Sequence, residues 1–211
     1  VHGQKHLVNF ILNPYVQKVR DTMSEVGNFF SKRRSVIAKK MSSKPIDKED
    51  LNLIIEAGIR VPDHGALNPW KLVVIQGDSL KVVDTKIILS EFIKKNPNMD
   101  NKFQEKESKK LQRAGAVIAV ISTPIDHPSI PEWEMHLSSG AVCMNLLSSA
   151  QSMGYAAQWL TEWYAYNDKM LQFLGGNVNK DKISGFIYIG HKIEEPLERK
   201  RPNPFDVVSF L

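Results

Sequence analysis

The hydrophobic positions change period several times along the chain, and each change marks an element. Leu51, Ile54, Ile55, Gly58 and Ile59 recur at three- and four-residue steps, one apolar stripe of a helix over Asp47 to Ile59. Asp47 suits its cap, and Glu49 and Asp50 suit its positive end. Pro62 cannot lie inside a helix, so this one stops before it. Leu72-Val73-Val74-Ile75 then forms a short continuous apolar run, the pattern of a buried central strand. Helical spacing returns over Asp78 to Lys94, through Leu80, Val83, Ile87 and Phe92. Gly115 to Ser122 is apolar throughout, which predicts a strand buried on both faces. Ile130 to Met153 predicts a long helix, with Pro131 at its start and Gly154 ending it. Tyr155 to Thr161 and Lys182 to Gly190 read as strands, and Phe205 to Leu211 as a last strand or short helix tucked onto the fold.

Between these elements lie three polar stretches. Lys94 to Arg113 is rich in Lys, Glu and Asn and predicts a solvated helix pair. Arg60 to Pro69 closes a helix, turns tightly through His64, Gly65 and Asn68, and enters a strand, the kind of rigidly framed loop where scaffolds place ligands. Val1 to Lys32 reads as an extension, with a loose helical period over Val16 to Phe30. It opens on Val1 rather than Met, leaving open where the native chain starts.

Composition narrows the function classes. Hydrophobic residues make up 42% of the 211 and charged residues 24%, as in ordinary globular proteins. No apolar run reaches the ~20 residues that cross a bilayer. The net charge of +5 is too small and too scattered for a nucleic-acid surface, though it suits phosphate-bearing ligands. One cysteine, Cys143, forms no internal disulfide, and the histidines show no metal-ligand spacing, so no metal is expected. A Gly-x-Gly-x-x-Gly after a strand, a P-loop and a Gly-x-Ser-x-Gly are all missing from the sequence. Arginines can instead hold a phosphate bidentately, and Arg33-Arg34-Ser35 is the first candidate.

The loop Pro-Asp-His-Gly-Ala-Leu-Asn-Pro-Trp-Lys resembles the Ala-Pro-Ser-x-x-Asn-x-Gln-Pro-Trp loop of bacterial nitroreductases, in the Pro-Asp-His version of their short branch. Arg33-Arg34-Ser35 lies about where that superfamily makes its first flavin contact, and the likeness runs from Lys32 to Leu211. It implies an α+β fold with a central mixed, mainly antiparallel sheet flanked by helices, as a domain over 32–211 after an extension over 1–31. A long central helix would lie at a homodimer interface. The small side chains Ser138, Ser139, Gly140, Ala141, Ser148, Ser149 and Ala150 fit either that or close burial against the chain's own sheet.

The resemblance further implies FMN held by Arg33, Arg34, Ser35, Arg60, His64, Trp159, Leu160, Thr161, Arg199 and Arg201. NADPH or NADH would reduce it, and a nitroaromatic or quinone-type acceptor would reoxidise it, in a ping-pong cycle without a side-chain nucleophile. The competing expectation is a non-catalytic flavin-binding or FMN-storage protein. Neither a nucleic-acid nor a membrane partner is expected, and a cytoplasmic location is. Ala156 and Ala157 depart from the glycines the family commonly has before its tryptophan, and Val36 to Met41 departs after the basic triplet.

Overall fold

The computed structural model describes residues 24–211. The chain divides into two compact units, Val1–Arg33 and Arg34–Leu211. In the first, helix α1 (Glu25–Lys32) starts where Ser24 Oγ accepts a hydrogen bond from the Gly27 amide at 3.2 Å. Of the helix expected over Val16 to Phe30, residues 16–23 lie outside the described residues.

The second unit is built on five strands: β1 (Met41–Ser42), β2 (Trp70–Gln76), β3 (Ala116–Ser122), β4 (Ala156–Leu160) and β5 (Lys182–Lys192). Their order is β1-β5-β3-β2, with β4 also paired to β5. A mixed, mainly antiparallel sheet is expected from the sequence, and each described pairing is antiparallel. β5 is the hub, because its length lets it pair with three strands.

Side chains alternate across the sheet, and the alternation builds two cores. Ala116, Ile118 and Val120 of β3 face α2 (Lys48–Gly58) and the long helix, with Ile54 and Leu146 among the buried partners. Val117, Ala119 and Ile121 face the opposite layer, with Val83, Ile88, Leu111 and Met170. Every residue of β3 is therefore buried, as its unbroken apolar run predicts. α2 begins where Asp47 Oδ1 accepts from the Glu49 and Asp50 amides at 2.8 and 3.3 Å. Gly58 belongs to its apolar stripe because a Cβ there would lie 2.3 Å from Leu146 Cδ2.

Two expectations are corrected and a third is refined. β2 is an edge strand rather than a central one: among the described residues it pairs only with β3, and Ile75 is its one buried residue. An apolar run reports how well side chains are covered, and β2 is partly covered on both faces: Val73 packs on one core, Leu72 and Trp70 on the other. The polar stretch after Lys94 is solvated over most of its length, as expected, and is drawn inward at Glu107, Lys110 and Leu111. Helix α3 (Asp78–Val83) runs through a π-helical turn (Asp84–Leu89) into α4 (Ser90–Lys95), and α5 (Asn101–Glu107) follows. The buried Asp84 carboxylate accepts from the Leu111 and Gln112 amides at 2.7 and 3.1 Å, pulling Leu111 into the core. Burial raises the Asp84 carboxyl above its ordinary range in spite of these bonds. Finally, the C-terminal helix (Pro204–Val207) is not tucked in: Phe205, Val207 and Phe210 are exposed, because a single turn has too little apolar surface to anchor itself.

Gly115, just before β3, tests how tightly the segment that follows β1 packs against it. A Cβ there would lie 2.1 Å from the Lys44 carbonyl oxygen, a backbone atom that no rotamer change can move. Gly115→Ala is expected to destabilise the protein by about 2–3 kcal/mol, read as a lower denaturation midpoint. An unchanged midpoint would contradict this packing.

Candidate functional site

The long helix, α6 (Glu132–Ser152), carries the site's supports on one face. Asn145 Nδ2 donates to the Arg60 carbonyl at 2.8 Å, and Ser138 Oγ donates to the Pro62 carbonyl at 2.9 Å. His64 Nδ1 lies 2.7 Å from Glu134 Oε2. Three side chains a turn or two apart thus moor the loop from Arg60 to His64 along the helix. Beyond His64 the backbone enters the left-handed region at Gly65, Ala66 and Asn68, with φ of 73, 53 and 48°. Glycine and asparagine tolerate this, whereas Ala66 pays about 1–2 kcal/mol. Asp63 holds the turn by accepting from the Asn68 amide at 2.7 Å. Strain of this kind collects at ligand clamps and switches.

A second support lies on the next residue of the same helix. β5 slips register against β3 between Val120 and Ile121, which pair with Gly185 and Ile183, so Ser184 has no partner and forms a bulge. Ser139 Oγ and Ser184 Oγ are 2.7 Å apart, and the Ser184 carbonyl accepts from Trp159 Nε1 at 3.0 Å. The indole lies directly over Gly185, where a Cβ would be 2.0 Å from Trp159 Nε1. Trp159 is half-exposed here and is not core. Ser138 and Ser139 are thus small and polar because they hold their own chain. Gly140 is different: a Cβ there would meet nothing within 4 Å.

After Trp159, Leu160 and Thr161 are half-buried and lead into Glu162, whose φ of 34° is also left-handed. Glu162 is pinned by Lys110 Nζ at 2.5 Å and Arg113 Nη2 at 2.9 Å, and the Arg113 guanidinium lies 5.4 Å from the Tyr188 ring centre. Burial opposes the Glu162 charge, yet the two cations together hold its carboxyl below the ordinary value of 4.5.

The third group joins the two ends of the second unit. Arg34 donates to the Leu197 carbonyl from Nη2 at 2.9 Å and Nε at 3.2 Å, and its Nε lies 3.7 Å from Glu198 Oε1. Arg201 reaches the same carboxylate oxygen through Nε at 3.1 Å and Nη2 at 3.0 Å. Arg199 joins through its backbone amide, 2.9 Å from Glu198 Oε1. Gln151 Nε2 donates to the Arg34 carbonyl at 2.8 Å and to that of Ala157 at 3.3 Å, which sets Arg34 beside β4.

Of the residues singled out from sequence, Arg34, Arg199 and Arg201 converge on Glu198, while Arg60 and His64 share the moored loop. Trp159, Leu160 and Thr161 form the β4 end, and Ser35 is half-buried between Arg34 and Val36. Arg33 ends the first unit, its amide closing α1 on the Phe29 carbonyl at 2.8 Å. Sequence reasoning missed Glu134, Asn145, Ser184, Glu162 and Glu198. Ser184-Gly185 inside an apolar strand was the one readable signal among these, since such a pair marks a bulge or close approach. A cavity of about 610 Å³ near Tyr155 and His191 is lined by none of the predicted residues. Cys143 is buried, its thiol pushed up to about 12 by desolvation, which leaves it inert. Among the described residues no cluster of His, Cys, Asp and Glu could hold a metal, and no helix is long and apolar enough to cross a membrane.

Two substitutions probe this arrangement. Gly185→Ala is expected to eject the Trp159 indole, changing the near-ultraviolet circular dichroism and costing about 1–3 kcal/mol; an unaltered spectrum and melt would contradict the stacking. Because the folded Glu162 pKa is depressed, its stabilisation is complete above the ordinary value and fades as pH falls through the folded one. Glu162→Gln should therefore cost on the order of 2 kcal/mol near neutrality. In urea titrations its deficit against the parent should shrink below pH 4.5, and a deficit that stays constant would refute the ion-pair account.

With this geometry in place, comparison with known proteins is informative. The Nitroreductase family matches residues 30–191. A Haemophilus influenzae protein provisionally named an NAD(P)H nitroreductase is 30% identical over 179 residues, covering 82% of this chain and 93% of its own. YdjA of Escherichia coli K12, provisionally named likewise, is 26% identical over 184 residues, covering 85% and 95%. The crystal structure of a nitroreductase with bound FMN from Bacteroides fragilis superposes with a TM-score of 0.65 at 21% identity, covering 90% of this chain and all of its own. An antiparallel sheet between helical layers, a strained Pro-Asp-His loop moored on a central helix, and a family match across most of the length agree: this chain belongs to the nitroreductase family.

Proposed function

We propose that this chain is an FMN-dependent oxidoreductase that draws hydride from NADPH or NADH and delivers it to nitroaromatic or quinone-type acceptors in a ping-pong cycle. The observation that carries this reading is the convergence of Arg34 and Arg201, from opposite ends of the second unit, on a single carboxylate oxygen. Two guanidiniums fixed around one anion form a donor set suited to a phosphate ester, whose oxygens accept the same forked bonds with more charge. The bound FMN of the Bacteroides fragilis structure and the NAD(P)H nitroreductase names of the relatives point the same way.

In this reading Arg34 and Arg201, aided by Arg33, Ser35 and Arg199, hold the phosphate. The Trp159-Leu160-Thr161 segment and the moored loop border the ring. FMN, when bound, supplies the ring nitrogen that accepts and gives up hydride. Positive charge from Arg60 beside the ring favours the negative charge that reduction adds. The strained loop is held by α6 rather than by the ligand, so the ring edge meets a surface that is already shaped. No side-chain nucleophile takes part.

We place FMN between the subunits of a cytoplasmic homodimer, within a domain that begins at residue 32 and follows an extension over 1–31. The support lies on α6, where Trp133 and Leu137, one turn apart, are 67% and 54% exposed, and Gly140 leaves room beside them. Apolar side chains in such a row fit a matching copy.

The visible spectrum of the purified protein, before and after anaerobic NADPH or NADH, tests the proposal. Flavin bands that bleach support it; bands that persist with both donors indicate a flavin-binding protein without turnover. Protein that stays colourless after incubation with FMN overturns it. Arg34→Ala and Arg201→Ala should each weaken FMN about tenfold to a hundredfold and leave riboflavin, which has no phosphate, nearly unaffected.

A further inference from the structure

The carboxylate between the two arginines is itself informative. Glu198 belongs to the chain, so the anion that Arg34 and Arg201 grip is an internal one. All its described contacts fall on one oxygen: Oε1 meets Arg34 Nε at 3.7 Å, Arg201 Nε at 3.1 Å, Arg201 Nη2 at 3.0 Å and the Arg199 amide at 2.9 Å. Arg34 Nε donates to the Leu197 carbonyl and meets Oε1 through charge alone, yet three donors still crowd one oxygen that has two lone pairs. A phosphate monoester offers three oxygens and close to two charges at neutral pH, so it satisfies the same donors better. The Glu198 side chain is 65% exposed and can turn into water at little cost.

We infer that Glu198 is a selectivity residue of the phosphate site, an internal competitor that keeps Arg34 and Arg201 engaged until a ligand bearing a phosphate displaces it. The inference rests on the FMN reading above. Its consequence is discrimination: chloride and other singly charged anions gain no more from the arginines than Glu198 already does. A flavin without its phosphate gains nothing there. Only a phosphorylated ligand recovers more than the displaced carboxylate loses. The opposing ion pairs are exposed, so the penalty they impose on binding is small, about three- to tenfold in affinity.

Glu198→Gln and Glu198→Ala in the full chain, stripped of flavin, provide the test, with FMN and riboflavin binding followed by flavin fluorescence. Both variants are expected to bind FMN about three- to tenfold more tightly than the parent, with riboflavin unchanged. Glu195→Gln, whose partner is Lys192, controls for a loss of charge on the same segment and should leave FMN affinity as it was. A parent that binds FMN while both Glu198 variants bind it equally or less tightly overturns the inference alone. A parent that binds no FMN overturns the FMN reading. Inorganic phosphate then decides for Glu198 by itself. The phosphate concentration that half-maximally raises the melting temperature should fall about three- to tenfold in the variants, and an unchanged concentration overturns the inference.

Discussion

The fold depends on one strand satisfying its backbone on both edges while burying both faces. β5 does this at its centre: it pairs with β1, β3 and β4 along its eleven residues and is buried from Gly185 to Gly190. A buried amide without a partner is costly, so such a strand tolerates little irregularity. It has one, at Ser184, and the protein uses it. The displaced carbonyl takes the Trp159 indole, and the displaced hydroxyl meets Ser139. An imperfection in the ladder thereby becomes the anchor of an aromatic wall.

Helix α6 turns this local event into a site. Adjacent serines face different clients, Ser138 the loop at Pro62 and Ser139 the bulge at Ser184. Loop and strand end are held by neighbouring residues of one rigid rod, so their relative placement varies little. The conformational cost of Ala66 and of Glu162 is met by packing and ion pairs already present in the chain. The surface that the loop and the strand end form is consequently preorganised.

Much of this was legible in the sequence, and the reasons for the rest are physical. The helix from Asp47, the buried β3 and the long α6 announced themselves because periodicity and caps are local properties. The arginine pair was readable because basic residues at Arg34 and Arg201 stood in the family's order, but Glu198 between them was not, since a carboxylate beside Arg199 reads as ordinary surface charge. β2 looked central because an apolar run records coverage of side chains and says nothing about which backbone edge has a neighbour. Asp84 drawing Leu111 inward joins positions 27 apart, which no local pattern encodes. The serines of α6 pointed both to an interface and to close packing, and only the hydrogen bonds to Pro62 and Ser184 separated their roles from that of Gly140.

The arginine pair also has a meaning in time. Arg34 and Leu197 are 163 positions apart, and β5 is finished at Lys192. A chain emerging from the ribosome therefore has the five described strands before it has the partner for Arg34. The pairing at Leu197 closes only after the sheet that flanks it is complete among the described strands.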